Sequence, residues 1–281
     1  MRRHTDAMSP FRFRVTLVAV AVAVTTVLMI DTWYVVLAPK ARIRSEAAAA
    51  VLASRLSSAA EMSSAAAEVS ADDPTAAVPV VAPAGLVLPS DPAVLVLGDS
   101  WAAGWGSDDG RGGYIQEAFD ELGWTRTVID AVGGIGYLNP GDDAGDYQDQ
   151  FDELGDLSVG DPDLIIVQGS TNDASVEYAG LPDAADTLFD SLQARWPNAQ
   201  LLMLAGAPEE MPIDPAVLDV NALLGTIAAA RGLPIIDPIQ EDWITPDNID
   251  DYVDITGHPN DDGHAYLAGL LAADLRALTG G

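Results

Sequence analysis

The sequence has no cysteine. Disulfides, thiolate nucleophiles and cysteine-ligated zinc are excluded at once. Basic residues are scarce too: 13 Lys and Arg face 43 Asp and Glu, for a formal net charge of −30. The shortage is uneven. Residues 1–92 carry 8 basic and 8 acidic side chains, whereas residues 93–281 carry 5 and 35. A domain this acidic repels nucleic acid and anionic lipid headgroups, so neither is expected as its partner. Histidine is rare as well, with only His4, His258 and His264. Chemistry that needs an imidazole base has few places to find one.

What is present divides the chain into unlike parts. Val15 to Leu37 is apolar apart from three threonines and Asp31-Thr32. That length suffices to cross a bilayer core, which needs ~20 helical residues. Trp33 and Tyr34 suit the interfacial belt, and Arg2, Arg3, Arg12 and Arg14 precede the run. Residues 1–14 therefore read as a cytoplasmic tail and 15–37 as a transmembrane signal anchor. The alternative is a cleaved signal peptide, but its apolar core would be ~7–15 residues and end at an A-x-A-like site. Either way the acidic part is expected outside the cytoplasm. Residues 38–92 read as an Ala-rich stalk followed by a linker with Pro74, Pro79, Pro83, Pro89 and Pro92.

From Ala93 onward strands and helices alternate. Ala93–Leu97, Thr127–Ile129, Leu164–Val167, Leu201–Ala205 and Pro234–Ile236 read as short, buried strands. Helical spacing covers 114–122, 184–196, 216–231 and 263–278, with Gly232 as a stop signal. Continuous apolar strands separated by helices indicate a three-layer α/β domain with a parallel sheet. In such sheets ligands bind beyond the carboxyl ends of the strands.

Chemically apt residues follow those ends. Gly98-Asp99-Ser100 follows the first strand, and Ala131-Val132-Gly133-Gly134 the second. Gly169-Ser170-Thr171-Asn172-Asp173 follows the third, and Gly257-His258-Pro259-Asn260 precedes the last helix. A serine, a glycine-rich backbone, an asparagine and a histidine are the parts of an acyl-transfer site. Asn172-Asp173 also suits a helix N-cap, and His264 reads as a capping or packing residue. Asp142, Asp143, Asp146, Asp149, Asp152 and Asp156 do not match the EF-hand spacing and read as an acidic, mobile loop.

With these four blocks in this order, the chain from Ala93 onward resembles the SGNH hydrolase superfamily, also called GDSL-type esterases. The resemblance implies a flavodoxin-like sheet of five parallel strands. It implies Ser100 as nucleophile and His258 as base. It places the oxyanion hole at the backbone N–H groups of Ser100 and Gly134 and the side-chain amide of Asn172. No cofactor and no metal are implied. The family usually has an aspartate three residues before the histidine, and here that position is Ile255. Asp254, one residue further back, is the nearest substitute. A backbone carbonyl in its place would leave a Ser-His dyad, and loss of activity is the third alternative. Trp101, where the family is often aliphatic, is expected to pack beside the site and narrow it. The activity implied is a membrane-anchored, extracytoplasmic serine esterase that hydrolyses or transfers small acyl groups. O-acetyl on cell-envelope glycans is a candidate substrate. A catalytically impaired module that binds a glycan or a partner protein is the alternative.

Overall fold

A computed structural model describes residues 85–108, 112–142 and 144–280. Five strands form one parallel sheet: β1 Ala93–Gly98, β2 Arg126–Ala131, β3 Leu164–Gly169, β4 Gln200–Ala205 and β5 Ile235–Ile236. Their order is β2-β1-β3-β4-β5, the flavodoxin-like order. β1 pairs with β2 in the register Gly98↔Ala131 and with β3 in the register Leu97↔Val167. The chain leaves β1 in one direction and β3 in the other, so the crevice between their carboxyl ends is the topological switch point.

β1 and β3 are buried along their whole length. Side chains alternate across a strand, and here both sides are covered. Val94, Val96, Leu164 and Ile166 face one core with α1 (Gly113–Leu122) and α6 (Asp261–Thr279). Leu95, Leu97, Ile165 and Val167 face the other, with α2 (Tyr147–Glu153), α3 (Leu181–Arg195) and α4 (Pro215–Arg231). Each fully buried aliphatic side chain contributes about 1.5–3 kcal/mol. Gly232 ends α4 in the left-handed region, with φ 66°, as its place in the sequence suggests. A short α5, Ile249–Tyr252, precedes the last helix.

Two sequence expectations change. The packed body begins before Ala93: Leu86 is buried, its N–H donates to the Leu278 carbonyl at 2.7 Å, and Val87 exchanges two bonds with the Gln200 side chain. Residues 85–92 are therefore not free linker. The acidic segment is also not a loop throughout, because 147–153 is helical. Asp146 caps it by accepting from the Gln148 and Asp149 N–H groups, and the Asp149 carboxylate accepts from the Asp146 N–H. Tyr147 and Phe151, four apart on one face, are buried. No group of acidic or histidine side chains that could hold a metal ion is present among the described residues. No helix among the described residues is long and apolar enough to cross a membrane. The expected anchor, 15–37, lies outside the described residues.

Candidate active site

The turn after β1 buries Asp99 and Ser100. Asp99 Oδ1 accepts from the Trp101 N–H at 2.9 Å, and the Asp99 and Ser100 carbonyls accept from the Ala103 and Trp105 N–H groups. Burial pushes the Asp99 carboxyl up to about 7. Trp101 packs beside the site, as expected from the sequence. It is buried, and its indole Nε1 donates to the Gly257 carbonyl at 3.1 Å. That bond ties the serine turn to the histidine loop.

Ser100 Oγ lies 2.9 Å from His258 Nε2. A base at that distance can remove the hydroxyl proton and so activate the oxygen as a nucleophile. His258 sits in a turn closed by a Val253↔Pro259 bridge and by the Asp254 N–H donating to the His258 carbonyl at 2.8 Å. The Asp254 carboxylate turns into this loop. It accepts from Thr256 N at 2.7 Å, Thr256 Oγ1 at 2.6 Å and His258 N at 3.3 Å. These bonds, the Thr256 hydroxyl foremost, hold the carboxyl below its ordinary value. Among the described residues, the Asp254 carboxylate makes no hydrogen bond to the imidazole; Thr256 Oγ1 stands 3.1 Å from Nδ1 instead. Ile255 is fully exposed.

The Gly133–Gly134 turn and Asn172 follow β2 and β3, the strands on either side of β1. Gly134 has φ 83°, where a side chain would be strained. Gly133 lies against the Trp105 indole, and a Cβ there would collide with the ring. Asn172 Nδ2 donates to the Ile135 carbonyl at 3.0 Å. This fixes the amide while leaving its second hydrogen for another acceptor. Asn172 and Asp173 lie inside a 3-10 turn, Thr171–Ser175, rather than at a cap. Asp173 accepts from the N–H groups of Tyr137, Leu138 and Asn139, each at 2.8 Å, and from Ser170 Oγ at 2.6 Å. It clamps the loop after β2 onto the turn after β3. Burial still pushes its carboxyl upward. Ser170, at φ 138°, carries backbone strain beside this clamp.

Two residues, Thr256 and Trp105, and the clamping role of Asp173 escaped the sequence reading. Asp173 clamps a loop distant in sequence. Thr256 carries no motif. Trp105 is 53% exposed, with its ring centroid 5.4 Å from that of His258. Only its neighbourhood in the fold marks it. His264 is fully buried and joins the packing instead: Nδ1 accepts from the Tyr114 N–H at 3.0 Å, and Nε2 contacts the Trp105 carbonyl at 3.0 Å. A cleft of about 750 Å³ adjoins the site, reaching Thr171, Thr256 and Gly257 and bordered by Glu209, Glu210 and Asp214. Ser100 and His258 are outside its lining. Burial raises Glu209 to about 7.

Residues 96–266 match the GDSL-like lipase/acylhydrolase family. A GDSL lipase of Mycobacterium tuberculosis (strain ATCC 25618 / H37Rv) is 30% identical over 196 residues, 64% of this chain and 79% of that protein. Among solved structures, a carbohydrate esterase family 2 enzyme with a carbohydrate-binding domain, from Corynascus thermopiles (Myceliophthora fergusii), has a TM-score of 0.54 at 20% identity. The match covers 73% of this chain and 69% of that one. A family two carbohydrate esterase from Cellvibrio japonicus has a TM-score of 0.51 at 20% identity, covering 69% and 63%. At such identities the structural likeness speaks to the fold. The sequence match runs from β1 into α6 and takes in the three blocks after strands and the His258 block before α6. The chain belongs to the GDSL-like lipase/acylhydrolase family.

Proposed function

We propose that the chain is a membrane-anchored, extracytoplasmic serine esterase that hydrolyses small acyl esters, such as O-acetyl groups on cell-envelope glycans. The observation that carries this reading is the 2.9 Å contact between Ser100 Oγ and His258 Nε2. Ser100 attacks the ester carbonyl carbon while its proton passes to His258. The tetrahedral oxyanion is held by the N–H groups of Ser100 and Gly134 and by the free hydrogen of the Asn172 amide. His258 then gives the proton to the departing alcohol oxygen as the carbon–oxygen bond breaks. Water repeats the attack on the acyl-serine, releasing the acid and restoring Ser100. A sugar hydroxyl in place of water would make the same site an acyltransferase.

Other features bear on substrate and place. The half-exposed face of Trp105 beside His258 suits the apolar face of a sugar ring. The acidic borders of the adjoining cleft disfavour an anionic substrate. The two carbohydrate esterases of similar fold agree with a glycan ester. The apolar run at 15–37 supports the anchor, and its flanking arginines the orientation. The alternative, a binding module without turnover, draws on the lack of a direct Asp254–imidazole bond.

The test is a panel of p-nitrophenyl acyl esters, from acetate to octanoate, on the full chain and on Ser100→Ala. Turnover greatest on the short esters and absent in the variant is expected. Equal rates in the two proteins would overturn the reading. For the anchor, the native protein should sit in the membrane fraction with its Arg2-Arg3 end intact, and an N-terminus near Ala41 would contradict it.

A further inference from the structure

The spacing between Asp254 and His258 is one residue longer than the family's, and the structure shows what fills the gap. Asp254, Thr256 and His258 lie on one short turn. The Asp254 N–H donates to the His258 carbonyl, the Gly257 N–H donates to the Asp254 carbonyl at 3.0 Å, and the Thr256 N–H donates to Asp254 Oδ1. This turn places the Thr256 hydroxyl between the carboxylate, at 2.6 Å, and Nδ1 of the imidazole, at 3.1 Å.

We infer that Thr256 is a positioning residue for the acyl-transfer chemistry: its hydroxyl relays the Asp254 carboxylate to His258 Nδ1 and fixes the tautomer that can accept the Ser100 proton. The inference rests on the esterase reading of Ser100 and His258.

Proton accounting carries it. A threonine hydroxyl has one hydrogen, and an ionised carboxylate only accepts. At 2.6 Å from Asp254 Oδ1, that hydrogen belongs on the line to the carboxylate, as a short, charge-assisted bond. Thr256 Oγ1 then presents a lone pair to Nδ1, so Nδ1 carries the ring hydrogen. Nε2 is left with its lone pair facing Ser100 Oγ. The opposite tautomer would set two lone pairs against each other across the 3.1 Å contact. When Ser100 gives its proton to Nε2, the Nδ1 hydrogen stays on nitrogen and the Thr256 hydrogen stays on oxygen. Only one proton moves. The carboxylate stabilises the imidazolium through one intervening oxygen, more weakly than in direct contact because Coulomb attraction falls with distance.

The test compares Thr256→Val, nearly the same shape without the hydroxyl, with Thr256→Ser, which keeps it. In the full chain, Thr256→Val should lower kcat at least tenfold with KM within about twofold, the pattern of an interaction made chiefly in the transition state. Thr256→Ser should stay within about threefold of the native chain. Joined to Asp254→Asn, Thr256→Val should cost little more than the larger single effect, because the two groups act in series. A substrate-free readout separates this inference from the esterase reading. Nitrogen-15 spectra of the histidines, with the His258 signals assigned by His258→Ala, should show one tautomer protonated at Nδ1 in the native chain and a tautomer mixture in Thr256→Val. A Thr256→Val chain with native kcat, a Thr256→Ser chain as impaired as Thr256→Val, additive losses, or unchanged tautomer signals would each overturn the relay.

Discussion

Asp173 and Asp254 both gather hydrogen bonds beside the Ser100–His258 pair, and their environments drive them in opposite directions. Asp173 takes four donors and is buried, and desolvation raises its carboxyl. Asp254 takes three donors on an exposed turn, and the Thr256 hydroxyl lowers it. The count of donors favours Asp173, so burial decides the sign. The difference extends to function. Asp173 locks loops at strand ends, which carry the proposed oxyanion donors Gly134 and Asn172. Asp254 acts within one local turn, which sequence change can lengthen or shorten without disturbing the sheet.

The largest expected effect is on the rigid side. Asn172→Ala should lower kcat by ~10²–10³ with little change in KM, since its amide acts on charge present only in the transition state. An unchanged kcat in steady-state assays would reduce Asn172 to a tie for Ile135. The two aspartates should then separate cleanly. Asp254→Asn should lower kcat at least tenfold while leaving the thermal midpoint nearly unchanged. The other acids of the region, Asp250, Asp251, Asp261 and Asp262, should not show this loss. Asp173→Asn should instead reduce stability by roughly 2–3 kcal/mol in denaturant titration, because an amide group would face donors that need an acceptor. If the two variants lost the same quantity, the comparison would fail.

The smallest effect concerns pH. Asp99 is raised to about 7 by burial, so between the ordinary carboxylate range and pH 7 the folded chain keeps a proton that the unfolded chain has released. Its stabilising contribution is therefore full at low pH and is lost as pH rises to about 7. Glu209, also raised to about 7, adds in the same direction. Asp254 works in the opposite sense, in the acid range, and is too exposed to matter much. The thermal midpoint should fall by a few degrees from pH 5 to pH 8. Asp99→Asn should flatten that slope, and a midpoint that rises over the range would contradict the assignment.

The sheet was legible because its strands are unbroken apolar runs, such as Leu164 to Val167, set off by turn residues and by Gly232. The helix at 147–153 was not, because its acidic surface masked the Tyr147–Phe151 pair. The Ser100, Gly134 and Asn172 blocks could be seen to fall at one end of the sheet, since strand ends share an end in a parallel fold. What joins them could not. The Asp173 clamp spans loops 34–36 residues apart, and its aspartate looked like a cap. Trp101 could be seen to pack beside the site, and only the fold reveals its tie to the Gly257 carbonyl. The Asp254-to-His258 spacing was readable as a departure. The hydroxyl that fills it was not, because nothing in the order of residues says that the Thr256 hydroxyl turns toward His258 while Ile255 faces solvent.

In the proposed mechanism Ser100 is a nucleophile made reactive by His258. This is tested most directly by treating the full chain with a serine-directed phosphonate and mapping the adduct by mass spectrometry. A single adduct is expected on the peptide carrying Ser100, formed slowly or not at all in His258→Ala. No adduct, an adduct on another serine, or equal labelling with and without His258 would contradict it.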